Sequence, residues 1–166
     1  MERFIFLSLG LLVVALSLRG TGADDPQCPF DWSFYNGHCY KVFKKLKNWR
    51  DAEMSCRQQE EGSHLASIQS WAESAYVANL ISHNVLLTNV WIGLSDPWKQ
   101  RIWYWSDGSR FRYKSWKLGE PNNFLWNEYC VELWSLSGYL GWNDQNCGFR
   151  RYFVCKFQPQ GEGSTW

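Results

Sequence analysis

Six cysteines place the strongest constraint on how this chain can fold. They stand at positions Cys28, Cys39, Cys56, Cys130, Cys147 and Cys155, behind an N-terminal segment that has the pattern of a secretory signal. An even number of cysteines behind such a segment predicts three disulfides formed in an oxidising compartment. Six cysteines allow fifteen pairings, and their spacing alone does not choose among them. Because no CxxC pair occurs, we do not expect the cysteines to bind a metal.

The first residues have the features of a cleaved signal peptide. Arg3 precedes an apolar run over residues 4–18, and small residues lead to Ala23. Such a run is too short and wrongly flanked for a membrane anchor, and no later stretch reaches ~18 unbroken apolar residues, so we expect no membrane insertion. The pattern predicts a secreted protein with a signal peptide over 1–23, one folded domain over 24–158 and a short disordered tail over 159–166.

The charge balance argues against two classes of partner. The chain has 17 Lys and Arg residues and 16 Asp and Glu residues. Removal of residues 1–23 takes away Arg3, Arg19 and Glu2, so the mature chain carries 15 charges of each sign. A neutral chain gives no support for nucleic acid or an anionic membrane as its partner.

The first third of the mature chain predicts a hairpin followed by a helix. The dipeptide Asn36-Gly37 lies between two aromatic segments, as in a tight β-hairpin turn. After it, Trp49, Ala52 and Cys56 recur at helical spacing. Cys56 should therefore face the core from the first helix.

The remaining elements predict an α+β fold. Ser70 and Glu73 have the spacing of a capping box, which places the start of a second helix at "SWAES". Short aromatic and β-branched runs then follow, separated by turn residues: "VWIGLS", "IWYWSDGSRF", "EYCVELW" and "RRYFVCKF". Two helices followed by several strands are typical of the α+β class.

Two polar clusters lie beside cysteines in the second half of the chain. The clusters are "GEPNNFLWNEYC" and "NDQNC", and they carry Glu120, Asn122, Glu128, Asn143 and Asp144. Each cluster alone fits an ordinary loop, because Asn, Gly, Pro and Asp are common in turns. Together they offer hard oxygen donors, which suit Ca²⁺ better than zinc. Pro121 also permits a cis peptide that would turn Glu120 and Asn122 to the same side. The two clusters together favour a Ca²⁺ site.

These motifs resemble the long-form carbohydrate-recognition domain of the C-type lectins. The matching pieces are "WIGL" at 91–94, "EPN" at 120–122, "EYC" at 128–130 and "WND" at 142–144, and the resemblance covers about residues 28–157. It implies the C-type lectin fold: two helices, short antiparallel sheets and a long Ca²⁺-binding loop. It also implies three disulfides, Cys28–Cys39, Cys56–Cys155 and Cys130–Cys147. The signal-like segment and the single-domain layout resemble the secreted lectins of snake venom.

The resemblance also implies a binding site. All five polar residues, Glu120, Asn122, Glu128, Asn143 and Asp144, would ligate one Ca²⁺ and contact two neighbouring sugar hydroxyls. Galactose-binding relatives carry Gln-Pro-Asp where this chain has Glu-Pro-Asn, so mannose-type sugars are expected. The partners would be glycans of cell-surface glycoproteins or glycolipids, and cells would agglutinate if the protein forms an oligomer. A second Ca²⁺ is not expected, because Gln100, Asn123 and Tyr129 replace acidic ligands of relatives.

Two other functional classes fit the sequence less well. An enzyme is not expected, because His38, His64 and His83 are isolated and neither HExxH nor GxSxG occurs. The alternative is a protein-binding relative that acts on clotting factors or platelet receptors. Such relatives typically lose the sugar-site residues and carry an extra cysteine for a partner chain. This chain keeps all five residues and has no spare cysteine, so the lectin is favoured and any homo-oligomer should be non-covalent.

Three apolar residues lie between the polar clusters: Phe124, Leu125 and Trp126. They can pack the loop or form an apolar wall against a sugar face. Because aromatic side chains bury large apolar areas wherever they can, we expect packing.

Overall fold

The computed structural model describes residues 28–160, so the predicted signal peptide, the end of the tail and Trp166 lie outside the described residues. The described part contains two helices, α1 (Trp49–Arg57) and α2 (Trp71–Asn84). Its eight strands are β1 (Ser33–Tyr35), β2 (His38–Lys47), β3 (His64–Leu65), β4 (Val90–Ser95), β5 (Tyr104–Trp105), β6 (Cys130–Leu133), β7 (Trp142–Gln145) and β8 (Arg151–Phe157). The α+β prediction is confirmed. Within 28–160, no helix is long and apolar enough to cross a membrane.

The strands form one mixed sheet with the order β1-β2-β8-β4-β6-β7, while β3 pairs with β8 and β5 pairs with β4. Every pair is antiparallel except β4 with β8, which run parallel. The short antiparallel sheets that the resemblance implies are thus joined into one mixed sheet by this parallel pair. Parallel strands require a long crossover connection, and the chain between Ser95 and Arg151 supplies it.

The hairpin and the first helix form where the sequence predicts them. Asn36 and Gly37 both have positive φ, 45° and 79°, as a two-residue turn of this type requires. Ala52 and Cys56 of α1 are buried, and the disulfide Cys56–Cys155 joins α1 to β8. The other disulfides are Cys28–Cys39 and Cys130–Cys147, so the three pairs are those that the resemblance implies.

The second helix begins as predicted, but its capping box is only half formed. The Ser70 side chain accepts a hydrogen bond from the Glu73 N–H at 3.1 Å. The Glu73 carboxylate accepts from the Gln69 N–H and is buried against Tyr40 and Lys156 instead of closing the box on Ser70. A buried ammonium needs a paired carboxylate, so the Lys156 partner outweighs the local cap.

Strands β5 and β7 differ from the sequence prediction: β5 is shorter than predicted, and β7 was not predicted as a strand. The run "IWYWSDGSRF" yields only Tyr104–Trp105 as a strand, whereas the polar motif that begins at Trp142 is itself the strand β7. Strand β7 pairs antiparallel with β6, so Asn143 lies opposite Glu132 and Asp144 opposite Val131. Trp142 is fully buried. Pairing with the buried strand β6 and the burial of Trp142, the first residue of β7, therefore decide the strand conformation of this short polar segment.

Candidate calcium and carbohydrate site

A buried carboxylate on β7 is the point where the loop segments meet. Asp144 Oδ1 accepts a hydrogen bond from the Asn122 N–H at 3.0 Å, and Oδ2 accepts one from the Asn123 N–H at 2.9 Å. Arg101 Nη2 donates to the same Oδ2 at 2.8 Å. Because one charged group binds donors from two distant segments, Asp144 fixes the start of the long loop against the sheet.

The Glu-Pro-Asn motif brings its two polar side chains into direct contact. The Glu120–Pro121 peptide is cis. The Asn122 N–H donates to Glu120 Oε2 at 3.1 Å, and Asn122 Nδ2 donates to Oε1 at 3.2 Å. Lys117 Nζ lies 3.6 Å from the same Oε1. The Glu120 side chain is largely buried, whereas Asn122 is exposed at the rim of the site.

Glu128 closes the other end of the loop. Its Oε2 accepts a hydrogen bond from the Phe124 N–H at 2.7 Å. Its own N–H donates to Asn123 Oδ1 at 3.0 Å. Glu128 is buried, and Asn123 links it to Asp144, because the Asn123 side chain accepts from the Glu128 N–H while the Asn123 N–H donates to Asp144.

Asn143 belongs to a neighbouring network. Its Nδ2 donates to Glu132 Oε1 at 3.1 Å, and Glu132 is fully buried on β6. The Glu132 carboxylate also binds Asn89 Nδ2 at 2.8 Å and Arg151 Nε at 2.7 Å. The hydrogen bonds thus join Glu120, Asn122, Asp144 and Glu128 through the loop backbone, whereas Asn143 is held by Glu132. Because the Asn143 amide nitrogen donates to Glu132, the amide oxygen is the atom that could ligate a cation.

The carboxylates of the site disfavour one another's charge. Burial, and then the hydrogen bond and charge of Asp144, raise the pKa of Glu120 against the opposing effects of the Asn122 N–H and Lys117. Burial also raises the pKa of Glu128, which the charges of Asp144, Glu120 and Glu132 raise further and the Phe124 N–H lowers. A cation placed among these groups would relieve both the desolvation and the repulsion.

The donor set fits Ca²⁺ in chemistry, although the side chains do not form a ready-made cage. Within residues 28–160, no group of three or more His, Cys, Asp or Glu side chains has the spacing of a metal site. The available atoms are carboxylate and amide oxygens, as Ca²⁺ requires, and all described cysteines are in disulfides. Several of these oxygens accept N–H groups of the loop, so a cation would have to share them.

Two residues at the site, Arg101 and Glu132, were missed by the sequence analysis. Arg101 reaches the site from 43 residues away, and its Nη1 also donates to the Glu128 carbonyl at 3.0 Å. The Asp96 carboxylate accepts from the Gln100 and Arg101 N–H groups and holds that turn in place. No sequence signal connects Arg101 to Asp144. Glu132 did carry a signal, because a carboxylate in the apolar strand "CVEL" demands a buried partner.

The apolar tip of the loop, defined as Phe124, Leu125 and Trp126, is exposed. Its side chains have exposed fractions of 64%, 77% and 85%, so the expectation that they pack the loop is wrong. Leu125 and Trp126 have φ values of 55° and 57°, in the left-handed region. The turn is held by the Trp126 N–H on the Asn123 carbonyl and by the Tyr129 hydroxyl on the Trp126 carbonyl. These backbone contacts, not side-chain burial, fix the tip.

Comparison with known proteins gives consistent matches. The family described as Lectin C-type domain matches residues 45–157. The protein "C-type lectin lectoxin-Lio1" of Erythrolamprus poecilogyrus is 64% identical over 166 residues, all of both chains. A "C-type lectin mannose-binding isoform" of Oxyuranus scutellatus is 54% identical over 157 residues, 94% of this chain and 98% of that one. The solved structure of human lithostathine has a TM-score of 0.75 at 40% identity, covering 79% of this chain and 99% of its own.

Proposed function

The chain belongs to the C-type lectin family, and from that premise we propose that it is a calcium-dependent lectin that prefers mannose-type sugars. C-type lectins bind carbohydrate and are not enzymes, so the function is recognition and not catalysis. The observation that carries the proposal is the hydrogen-bonded cluster of Glu120, Asn122, Asp144 and Glu128, whose mutually repelling carboxylates a bound cation would stabilise.

We propose one Ca²⁺ held by the oxygens of five residues: Glu120, Asn122, Glu128, Asn143 and Asp144. When bound, the ion would supply coordination positions to two neighbouring sugar hydroxyls. The side chains would orient the sugar: the Glu120 carboxylate would accept a hydrogen bond from one hydroxyl, and the Asn122 amide nitrogen would donate one to a hydroxyl oxygen. The existing contact between the Asn122 amide nitrogen and Glu120 Oε1 supports this polarity, because it holds a donor and an acceptor side by side.

The mannose preference rests on which residue supplies acceptors and which supplies donors. Glu at 120 and Asn at 122 set that order, and exchange of the two functional groups would invert it. A relative 54% identical to this chain is named a mannose-binding isoform, which supports the same preference here.

We further propose that the mature protein is secreted and agglutinates cells through their surface glycoproteins or glycolipids. A single site that faces two hydroxyls is weak, so agglutination requires several sites in one particle. All six cysteines are paired within the chain, so the oligomer would be non-covalent.

The test is retention of the purified mature protein on immobilised mannose and on immobilised galactose, first with Ca²⁺ and then with a chelator. We expect retention on mannose and release by the chelator. Retention that survives the chelator would contradict the calcium mechanism. A folded protein retained on neither sugar would favour the protein-binding alternative.

The variant Glu120→Gln/Asn122→Asp tests the polarity directly. It should shift retention from mannose toward galactose, because the donor and acceptor change places. The control variant Glu61→Gln/Asn79→Asp makes the same chemical changes at exposed positions outside the site and should behave as wild type. An unchanged sugar preference in the first variant would refute the donor and acceptor argument.

A further inference from the structure

A row of cations precedes the long loop. Between residues 110 and 115, exposed and half-buried side chains alternate, and the exposed ones are Arg110, Arg112 and Lys114. We call these three residues the basic stripe. An alternation of period two places all three side chains on one face of an extended segment, where neighbours recur about every 6.6 Å.

The segment that carries the basic stripe is held rigidly. The rings of Phe111 and Tyr113 contact the buried ring of Trp142, with centroids 6.5 Å and 5.8 Å apart. The Ser115 carbonyl accepts from the Trp142 N–H at 2.8 Å, and the Ser115 hydroxyl donates to the Leu140 carbonyl at 2.8 Å. The aromatic side chains therefore pack against the core, whereas the cations between them are exposed. Lys114 Nζ lies 5.3 Å from the centroid of the Phe111 ring and so remains at the surface of the segment.

The charges of the basic stripe are not neutralised by the protein. Among the described residues, no ion pair involves Arg110, Arg112 or Lys114. The nearby Asp107 is engaged by the Ser67 hydroxyl and the Ser109 N–H. Because the mature chain is neutral overall, this row is a local positive field and not a consequence of a basic composition.

We propose that the basic stripe binds a linear sulfated polysaccharide without the help of calcium. A single row of evenly spaced cations matches a narrow chain with repeated anionic groups, and arginine pairs well with such groups. Single-stranded nucleic acid fits less well, because its binding uses exposed aromatic rings for stacking and the rings of Phe111 and Tyr113 face the core. A lipid surface fits less well, because the stripe presents no apolar side chain between its cations.

Heparin is the probe, and binding is measured on the full mature chain in a chelator, at about 50 mM and about 200 mM NaCl. We expect each of the three cations to release one counterion on binding. With a slope of log affinity against log salt of about 0.7 per contact, binding should be about 20-fold weaker at the higher salt. Fully desulfated heparin should not bind. Ca²⁺ should leave the affinity unchanged, and a requirement for Ca²⁺ would overturn the proposal by assigning the binding to the calcium site.

Matched variants locate the site. The variant Arg110→Gln/Arg112→Gln/Lys114→Gln should lose heparin binding by more than about tenfold at low salt, since it removes all three contacts. The control Lys44→Gln/Lys45→Gln/Arg57→Gln removes the same charge from exposed positions elsewhere and should bind nearly as wild type. Both variants should keep the wild-type retention on mannose, which also shows that they are folded. Equal losses in the two variants would overturn the proposal. Binding of anionic phosphatidylserine vesicles through the basic stripe, without binding of heparin, would also overturn the proposal.

Discussion

Replacement of Arg101 by Gln tests whether the protein carries an internal substitute for a metal cation. The Arg101 guanidinium donates to buried Asp144 and to the Glu128 carbonyl, and it lies over the ring of Trp103. Its side chain is 33% exposed, whereas that of Asp144 is 0% exposed. The substitution therefore leaves a buried carboxylate with only the loop N–H groups as partners. This prediction rests on the proposed calcium site.

The expected cost differs with and without calcium. A hydrogen bond to a buried charge contributes about 2 kcal/mol and one to a neutral carbonyl about 1 kcal/mol, so the loss in chelator is about 3 kcal/mol. In saturating Ca²⁺ the ion balances Asp144, and only the carbonyl bond, about 1 kcal/mol, is lost. For a domain of this size, the melting temperature should fall by about 6–12 °C in chelator and about 2–4 °C in Ca²⁺.

By thermodynamic linkage, this difference in stability loss between the two conditions changes the affinity for Ca²⁺. If the substitution destabilises the calcium-free form by about 2 kcal/mol more than the bound form, Arg101→Gln should bind Ca²⁺ up to about 30-fold more tightly. Calorimetric titration with Ca²⁺ measures this, and thermal unfolding in both conditions measures the stabilities. The control Arg57→Gln, at an exposed position, should change neither quantity. Equal losses of stability in both conditions, or weaker Ca²⁺ binding, would refute the argument that Arg101 and Ca²⁺ balance the same carboxylate.

Two other predictions concern pH and the loop disulfide. Because the folded-state pKa values of Glu120 and Glu128 are raised, stability in chelator should fall as pH rises from about 4.5 through those values, whereas Ca²⁺ binding needs the deprotonated groups. The gain in melting temperature on adding Ca²⁺ should therefore grow from about pH 4.5 to neutrality, and a pH-independent gain would contradict this. The variant Cys130→Ala/Cys147→Ala opens a loop of 17 residues and should lose about 3 kcal/mol of unfolding free energy in denaturant titrations, with mannose retention reduced; full stability and retention would contradict a role in holding the site.

Local patterns predicted those elements whose local and tertiary preferences agree. The Asn36-Gly37 turn needs positive φ at both residues, and Asn and Gly tolerate it, so the hairpin followed from the dipeptide alone. Helix α1 followed in the same way, because the spacing of Ala52 and Cys56 sets its buried face. Strand β7 could not be predicted like this, because Asn143 and Asp144 have low strand propensity and the strand depends on pairing with β6.

The proximity of the candidate site residues could be predicted only from the family motifs that contain them. Glu120, Asn122, Glu128 and Asp144 do lie together, but their proximity comes from backbone N–H groups that no side-chain pattern encodes. Arg101 was out of reach for the same reason, since its contact with Asp144 spans 43 residues. Long-range contacts of this kind depend on the fold, and a single sequence gives no measure of them.

The exposed tip shows why local rules fail at this loop. Leu125 and Trp126 adopt left-handed φ values that cost side chains with a Cβ about 1–2 kcal/mol each, and they bury little apolar area in return. The turn persists because the Phe124 N–H is held by Glu128 and the Asn123 N–H by Asp144. The conformation of the tip is thus maintained by the same carboxylates that the proposed Ca²⁺ would use. Leu125 and Trp126 keep their unfavourable φ values because the carboxylates of Asp144 and Glu128 bind the loop backbone directly.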